Sequence, residues 1–396
     1  MAEKRTVPFD HHTAEWVEDP YTVYRELRDE CPVAFTEAHG GFWLLSRYQD
    51  VREALLDWQT FSSNHPGRVA IPHTRPGAHP GIPIEFDPPE HTRYRDLVSR
   101  YFSPSEVKKL ESQITRFADD LVAGFHRRGA CDIVRDYAAP LVAGTLARFL
   151  ALPLEDVSLL DRWADAIFAG RVDDPEGAAR ALEALSSYIG EQLEGRKQRP
   201  GDDLFSALVK AEVGGRRLTD RELLGYGRTL LLAGREAAID GLANSLWYLA
   251  QHPGKRWRLR GEPELLPFAI EELLRTMSPI QLLGRVATRN VELHGQTICE
   301  GESVAMIYGS GNRDERVFTD PDRVVLDRKP NPHIAFGSAH HYCLGAHLAR
   351  LIMRVGIGTF LEAIPDFRLS QSEEIRRKLN GDARGFVTLP VEFARA

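Results

Sequence analysis

The segment Phe336-Gly337-Ser338-Ala339-His340-His341-Tyr342-Cys343-Leu344-Gly345 places one cysteine after a glycine-containing loop, just before a helical pattern running from His347 to Ile364. A thiolate there would face the free N–H groups and positive dipole end of a helix, both of which stabilise sulfur as an anion. A lone cysteine is more often a small buried hydrophobe. The flanking glycines change the reading, because they let the backbone approach a flat ligand closely. Glu272 and Arg275 stand three apart on one helix face, where carboxylate and guanidinium can pair, although a surface ion pair has the same spacing. His91 and Arg95 stand four apart at a helix start that follows Asp87-Pro88-Pro89. Ala233-Gly234-Arg235-Glu236-Ala237-Ala238 sets an acid beside a run of small residues.

Those residues need elements to hold them, and helical patterning dominates. Residues 105–126, 137–151, 153–169 and 176–197 carry apolar positions at three-to-four spacing. Thr219-Asp220-Arg221-Glu222 is a capping-box start, and the pattern runs without proline until Pro253. About 33 residues at a 1.5 Å rise would span roughly 50 Å. The notch at Gly234 suits the close approach of a bulky planar group, and equally suits a core helix with an incidental glycine. Strand-like runs are fewer: Gly41 to Leu45, Val291 to Cys299, Ser303 to Tyr308 and Phe386 to Phe393. The expected fold is mainly α with small β-sheets. With no internal repeat and no low-complexity linker, a single domain over residues 1–396 is expected. The stretches 62–90 and 309–342 lack periodicity, and loops of that length are usually functional.

Composition narrows the classes. Of 396 residues, 43% are hydrophobic and 27% charged, which is ordinary globular material with enough chain to enclose a large cofactor. Fifty basic against 57 acidic residues give −7, so no basic excess supports a nucleic-acid-binding surface. Cys31, Cys131, Cys299 and Cys343 are far apart, which excludes local zinc-knuckle and ferredoxin-type motifs. So few cysteines fit a reducing cytoplasm. The first twenty residues lack the apolar core of a signal peptide, and no run reaches the roughly 18 apolar residues of a membrane span. A cytoplasmic protein without nucleic-acid or membrane partners is expected.

The segment 336–345 resembles the cysteine-ligand loop of the cytochrome P450 family, the haem-thiolate monooxygenases. It matches F-x-x-G-x-[HR]-x-C-x-G except at Ala339, where a positive φ would strain the turn. Glu272 and Arg275 match the family's E-x-x-R, with Arg328, fifteen residues before Cys343, as the third member. His91 and Arg95 look like the H-x-x-x-R clamp on the haem propionates, and Arg285 and His341 match two further propionate partners. Residues 233–238 match A-G-x-[DE]-T-[TS] with Glu236 at the acid position and Ala237 where the family has its alcohol. Thr229 and Ser245 each lie eight residues away, about 12 Å along the axis and too far to substitute.

The resemblance implies a cytochrome P450 fold, with the long helix over haem and the cysteine loop beneath. The cofactor would be haem b (iron protoporphyrin IX), with Cys343 as the metal ligand. Phe336, Gly345, His91, Arg95, Arg285 and His341 would complete the haem site, and Gly234, Glu236 and Ala237 would be the catalytic positions. The implied activity is oxidation of a small-to-medium organic or natural-product substrate, such as hydroxylation or demethylation. It would use O2 and electrons from a separate ferredoxin and ferredoxin reductase-type partner. The missing alcohol points to substrate-assisted protonation. Alternatives are oxidative coupling, nitration, peroxide-driven oxidation, or a haem-binding sensor without turnover. Substrate contacts are expected from the 62–90 loop, the 153–200 helical pair, residues 234–238, Ile280 to Leu283 and the turn around Phe386. His65, Arg68, His73, Arg75 and His79 make the first loop cationic-capable, which would suit a polar or acidic substrate. Arg93, Arg100, Lys108, Lys109, Arg350 and Arg354 are expected to form a basic patch that steers an acidic electron donor.

Overall fold

The computed structural model describes residues 4–72, 80–379 and 381–395. His73, Arg75 and His79 lie outside the described residues. The long helix forms as its caps dictate, over Asp220–Gln251. Thr219 Oγ1 accepts from the Glu222 N–H at 3.3 Å while Glu222 Oε2 accepts from the Thr219 N–H at 2.6 Å, the reciprocal capping box. Pro253 then opens the next helix with no N–H to continue the ladder. This central helix is buried over most of its length and packs on the helix that follows Cys343, Ala346–Ala363.

Small residues set how closely those two helices approach. A Cβ at Gly356 would sit 2.9 Å from Leu242 Cδ2, and one at Gly241 would meet Met353 Sδ at 3.3 Å. Leu242, Leu246 and Leu249 are fully buried in this seam and join Ile270, Leu273, Ile352 and Phe360 in the largest core cluster. Each such leucine contributes about 2 kcal/mol through removal of apolar area from water. The packing fixes the central helix against the element that carries the cysteine loop.

The expected helices all exist, with different bounds. The 105–126 pattern breaks into Pro104–Lys108 and Glu111–His126, with a turn at Lys109 and Leu110. The 137–151 pattern yields Ala139–Phe149 after a wider turn at Ile133–Ala138. The next two become Val157–Asp173 and Pro175–Gln198, packed together as an antiparallel pair.

The main sheet has five strands, β1 (Val33–Thr36), β2 (Phe42–Leu45), β3 (Phe61–Ser62), β4 (Leu282–Ala287) and β5 (Ser303–Ile307), in the order β1-β2-β5-β4-β3. β5 pairs parallel with β2, Ala305 opposite Leu44, and antiparallel with β4, Val304 opposite Arg285. The run from Val291 is a hairpin rather than one strand. His294 and Gly295 turn it at φ 49° and 73° between Val291–Leu293 and Gln296–Ile298. The run from Phe386 likewise divides into Phe386–Thr388 and Pro390–Phe393, which join different sheets. Among the described residues, no helix is long and apolar enough to cross a membrane.

Candidate active site

The cysteine loop is a chain of tight turns. Gly337 N–H donates to Ile334 O at 2.9 Å, Tyr342 N–H to Ala339 O at 3.1 Å, and Cys343 N–H to Phe336 O at 2.8 Å. Gly337 lies at φ 70° and Ala339 at φ 55°, so the alanine does occupy a left-handed position. Gly345 is the N-cap of the following helix and supplies no capping side chain, which leaves the first-turn N–H groups free of one. Burial pushes the Cys343 thiol up, against the Gly345 N–H and the charges of Arg95 and Arg350, which favour thiolate. The Arg350 guanidinium also lies 4.4 Å from the centre of the Phe336 ring, fixing the start of the loop.

Beside this loop the structure brings together the four residues that the family resemblance marks as propionate partners. His91, on the helix Glu90–Ser99, has its ring 4.4 Å from that of His341. Arg95, one turn on, donates to Tyr342 O at 2.7 Å. Arg285 on β4 is buried and also interacts with Tyr308. The His91 imidazole is lowered to about 4 by burial, then by Arg95 and His340. His341 falls to about 2 through burial and the charges of Arg285, His91 and Arg95. Asp87 opposes the effect on His91, but its carboxylate is taken by Ser62 Oγ and the Ser63 N–H. His91 Nδ1 and His341 Nε2 are buried without a hydrogen-bond partner. Two guanidiniums and two unsatisfied imidazoles that disfavour one another's charge form a site fitted to a dianion, such as a pair of carboxylates.

The E-x-x-R triad is fully assembled. Arg275 Nε and NH2 donate to the two Glu272 oxygens at 2.8 Å each, and Arg328 Nε reaches both at 3.0 Å. The Val325 N–H adds a bond at 2.8 Å, and Arg275 spends further N–H groups on the carbonyls of Asn312 and Pro321. Burial would raise the Glu272 carboxyl, but these donors hold it below its ordinary value. The triad pins the irregular stretch before Cys343 onto the helix Leu266–Met277.

On the central helix, Ala233 and Gly234 are exposed and Ala237 half-buried, whereas Leu230, Leu231, Glu236, Ala238 and Ile239 are buried. Three small residues thus present an accessible strip mid-helix. The space left by the Gly234 side chain is nevertheless taken by a neighbour, since a Cβ there would meet Leu146 Cδ1 at 3.2 Å. Ala237 offers only a methyl. Glu236, the expected acid, is tied on both sides: Arg235 NH1 donates to its Oε2 at 3.0 Å and Lys378 Nζ to its Oε1. Lys378 also donates to Asp240 Oδ1 at 2.7 Å, leaving Asp240 Oδ2 without a partner. Burial would raise Glu236, but Lys378 and Arg235 together lower it. Burial raises Asp240 to about 7, with the Glu236 charge adding to the rise and Lys378 opposing it. Arg235 continues outward to Asp161 at 2.6 Å and Asp165 at 3.0 Å. It borders an apolar hollow lined by Leu146, Leu160, Ala164, Leu185 and Leu231.

Asp240 and Lys378 escaped the sequence reading. Asp240 carried a signal, an acid one turn from Glu236 in an apolar helix. Lys378 carried none, being 142 residues distant. Two expectations are corrected, those on Phe386 and on the basic patch. Phe386 is a core residue, 1% exposed and packed on Trp247, because its strand faces inward. Arg68 donates to Ser303 Oγ at 2.8 Å and so anchors its loop to β5. The basic patch is a mixed surface. Arg93 pairs with Glu90 at 3.3 Å, Lys109 with Glu106 at 2.7 Å, Arg350 with Glu271 at 2.7 Å and Arg354 with Glu111 at 2.9 Å.

A family model for cytochrome P450 matches residues 178–394. Nocardicin C N-oxygenase of Nocardia uniformis subsp. tsuyamanensis is 37% identical over 400 residues, covering 99% of each chain. The chain belongs to the cytochrome P450 family. It is accordingly a monooxygenase with haem b as cofactor, using O2, an organic substrate and a redox partner. Among solved structures, CYP109E1 from Bacillus megaterium in complex with testosterone superposes with a TM-score of 0.89 at 32% identity, over 96% of this chain and 99% of that one. P450BioI in complex with hexadec-9Z-enoic acid ligated acyl carrier protein gives 0.87 at 30% identity, over 96% and 100%. The cytochrome P450 fold and the chemistry of the cysteine loop therefore agree.

Proposed function

We propose that this P450 oxidises a small-to-medium organic substrate of natural-product type with electrons from a separate ferredoxin-type protein, and that the substrate itself completes proton delivery. Cys343 would hold the haem iron as thiolate, and His91, Arg95, Arg285 and His341 would meet the two propionates. Bound haem supplies activation of dioxygen, aided by electron donation from the thiolate. The protein's own residues govern water and protons. A largely apolar hollow lies beside Arg235, and Ala233 and Ala237 offer only methyl groups along the central helix. The observation that carries the protonation reading is the pairing of a methyl at Ala237 with a Glu236 held between two cations. Neither group presents a free donor to the strip. A substrate hydroxyl or a water ordered between substrate and Glu236 then fills the gap, and does so only when the substrate fits.

Product formed per NAD(P)H consumed, on the native substrate and on an analogue lacking its polar group, tests this. Tight coupling on the first and peroxide release on the second are expected, with Ala237→Thr reducing release on the analogue by several-fold, less than about 1 kcal/mol of barrier. Equal coupling on both substrates sinks the proton reading. The ligand assignment has its own test. Cys343→Ser should abolish the red-shifted band of the reduced carbon monoxide complex, while Cys31→Ser, Cys131→Ser and Cys299→Ser keep it. Since the 37%-identical relative is a nocardicin C N-oxygenase, N-oxygenation belongs in the substrate screen beside hydroxylation and demethylation.

A further inference from the structure

Outside the residues assigned to the cysteine-loop site, three histidines from two segments converge. One ring nitrogen of each of His11, His12 and His39 lies within 4.8 Å of the others. The His11 and His12 ring centres are 4.3 Å apart, and His39 is 5.4 and 5.0 Å from them. His11 is fully buried among Phe9, Trp16 and Phe42, and His12 and His39 are half-buried at the edge. Packing of an aromatic cluster explains the apolar faces of His11. It does not explain why one nitrogen of each of three imidazoles, two of them T-shaped to His39, lies so close to the others.

The hydrogen bonds are those of imidazoles prepared for metal. Ile71 O accepts from His11 Nε2 at 2.9 Å and from His12 Nε2 at 3.0 Å, and Asp10 Oδ1 accepts from His39 Nε2 at 2.9 Å. Oxygen acceptors take the N–H of each ring, so the lone pair resides on the other nitrogen. Carbonyl and carboxylate partners of this kind orient histidine ligands in metal sites. His11 Nδ1 is buried with no partner at all. His12 Nδ1 has only a 3.3 Å contact from the Gly381 N–H and one of 3.3 Å to Leu379 O. Asp10 and Asp382, the latter 3.5 Å from His11 and paired with Arg171, supply compensating negative charge.

We propose that His11, His12 and His39 form a site for one borderline divalent metal ion of the zinc, nickel or copper type. Imidazole nitrogens suit these ions and not calcium or magnesium. Tetrahedral bonds of about 2.0–2.1 Å need ligand nitrogens about 3.3 Å apart. Rotation of the half-buried His12 and His39 toward the fixed His11 closes that difference. The ion would clip the N-terminal segment to the turn at residues 38–40. Through the contacts of His12 with Ile71 O, Leu379 O and the Gly381 N–H it would also brace the chain at those residues.

The experiment uses the haem-loaded protein, equilibrated with Zn2+ buffered near about 1 μM free and then assayed for zinc per haem iron by mass spectrometry. One zinc per haem is expected. His12→Ala and His39→Ala, both at half-buried positions, should each weaken binding at least tenfold, and Asp10→Asn about tenfold through the lost outer partner. His252→Ala, at an exposed histidine stacked on Tyr248, should leave binding unchanged. Zinc bound at well below one equivalent overturns the site, as does full binding that survives both His12→Ala and His39→Ala.

Discussion

Two buried ionic clusters of similar size lie in this P450, and they are wired differently. Around Glu272 every carboxylate lone pair meets a donor, and its partner Arg275 is equally buried at 0% exposure. Around Glu236 two carboxylates one turn apart share Lys378, and Asp240 Oδ2 is left over. The first cluster holds its acid well ionised and static. The second leaves an acid near neutrality, able to take and release a proton at working pH. Burial thus raises Asp240, whose one cation is shared with Glu236, while the donors around Glu272 outweigh its burial and keep it a fastening.

Breaking the fastening should have the larger effect. Glu272→Gln strands Arg275 and weakens Arg328, leaving uncompensated buried charge, which costs about 3–5 kcal/mol. The stretch pinned by the triad leads into the Cys343 loop, so haem retention should fall with stability. Denaturant titration alongside haem absorbance measures both. A variant within about 1 kcal/mol of the parent that keeps its haem would show that the carbonyl bonds of Arg275 suffice alone.

The fastening was legible in the sequence and the titrating cluster was not. Glu272, Arg275, His91, Arg95 and Cys343 sit at spacings of three, four or a fixed loop, so local geometry predicts their mutual orientation before folding. Arg328 and Arg285 required the family pattern to be singled out. Lys378 reaches Glu236 only because a turn between strands folds over the central helix, a contact that no periodicity encodes. The same holds for His39 beside His11. Strand bounds failed where the chain turns at positive φ, as at His294 and Gly295, where a single glycine inside a strand-like run was the one local signal. The charge of the surface near Cys343 failed for another reason: the sequence shows the cations, but Arg93, Lys109, Arg350 and Arg354 each pair with a glutamate.

The two clusters also differ in the sign of their pH dependence. Glu272 is depressed in the folded state, so its stabilisation is full above its unfolded value and fades as pH falls through the folded one. Asp240 is raised, to about 7 from an ordinary 3.8. Between those values the folded protein binds the extra proton, and stability declines as pH rises, by a few kcal/mol in total. Asp240→Asn should remove that decline, so the difference between variant and parent widens from pH 4 to pH 7. Thermal denaturation of both proteins across this window checks it. Parallel curves would place the Asp240 carboxylate in the ionised class with Glu272 and erase the distinction drawn here.

The smallest effect concerns strain within the otherwise well-satisfied cysteine side. Ala339 lies at φ 55°, where its Cβ crowds the following carbonyl at a cost of about 1–2 kcal/mol. The residue is exposed, so its methyl makes little packing contact to offset the strain. Glycine removes the clash but gains freedom in the unfolded chain, which returns about 0.4–1 kcal/mol. Ala339→Gly should therefore stabilise the protein by about 0.5–1 kcal/mol, seen as slower haem loss on heating and a slightly raised midpoint. The Tyr342 N–H to Ala339 O bond keeps the same turn in either case, so the thiolate band should not move. Destabilisation by this substitution would mean that the alanine, by restricting the unfolded loop, contributes more than its strained φ takes away.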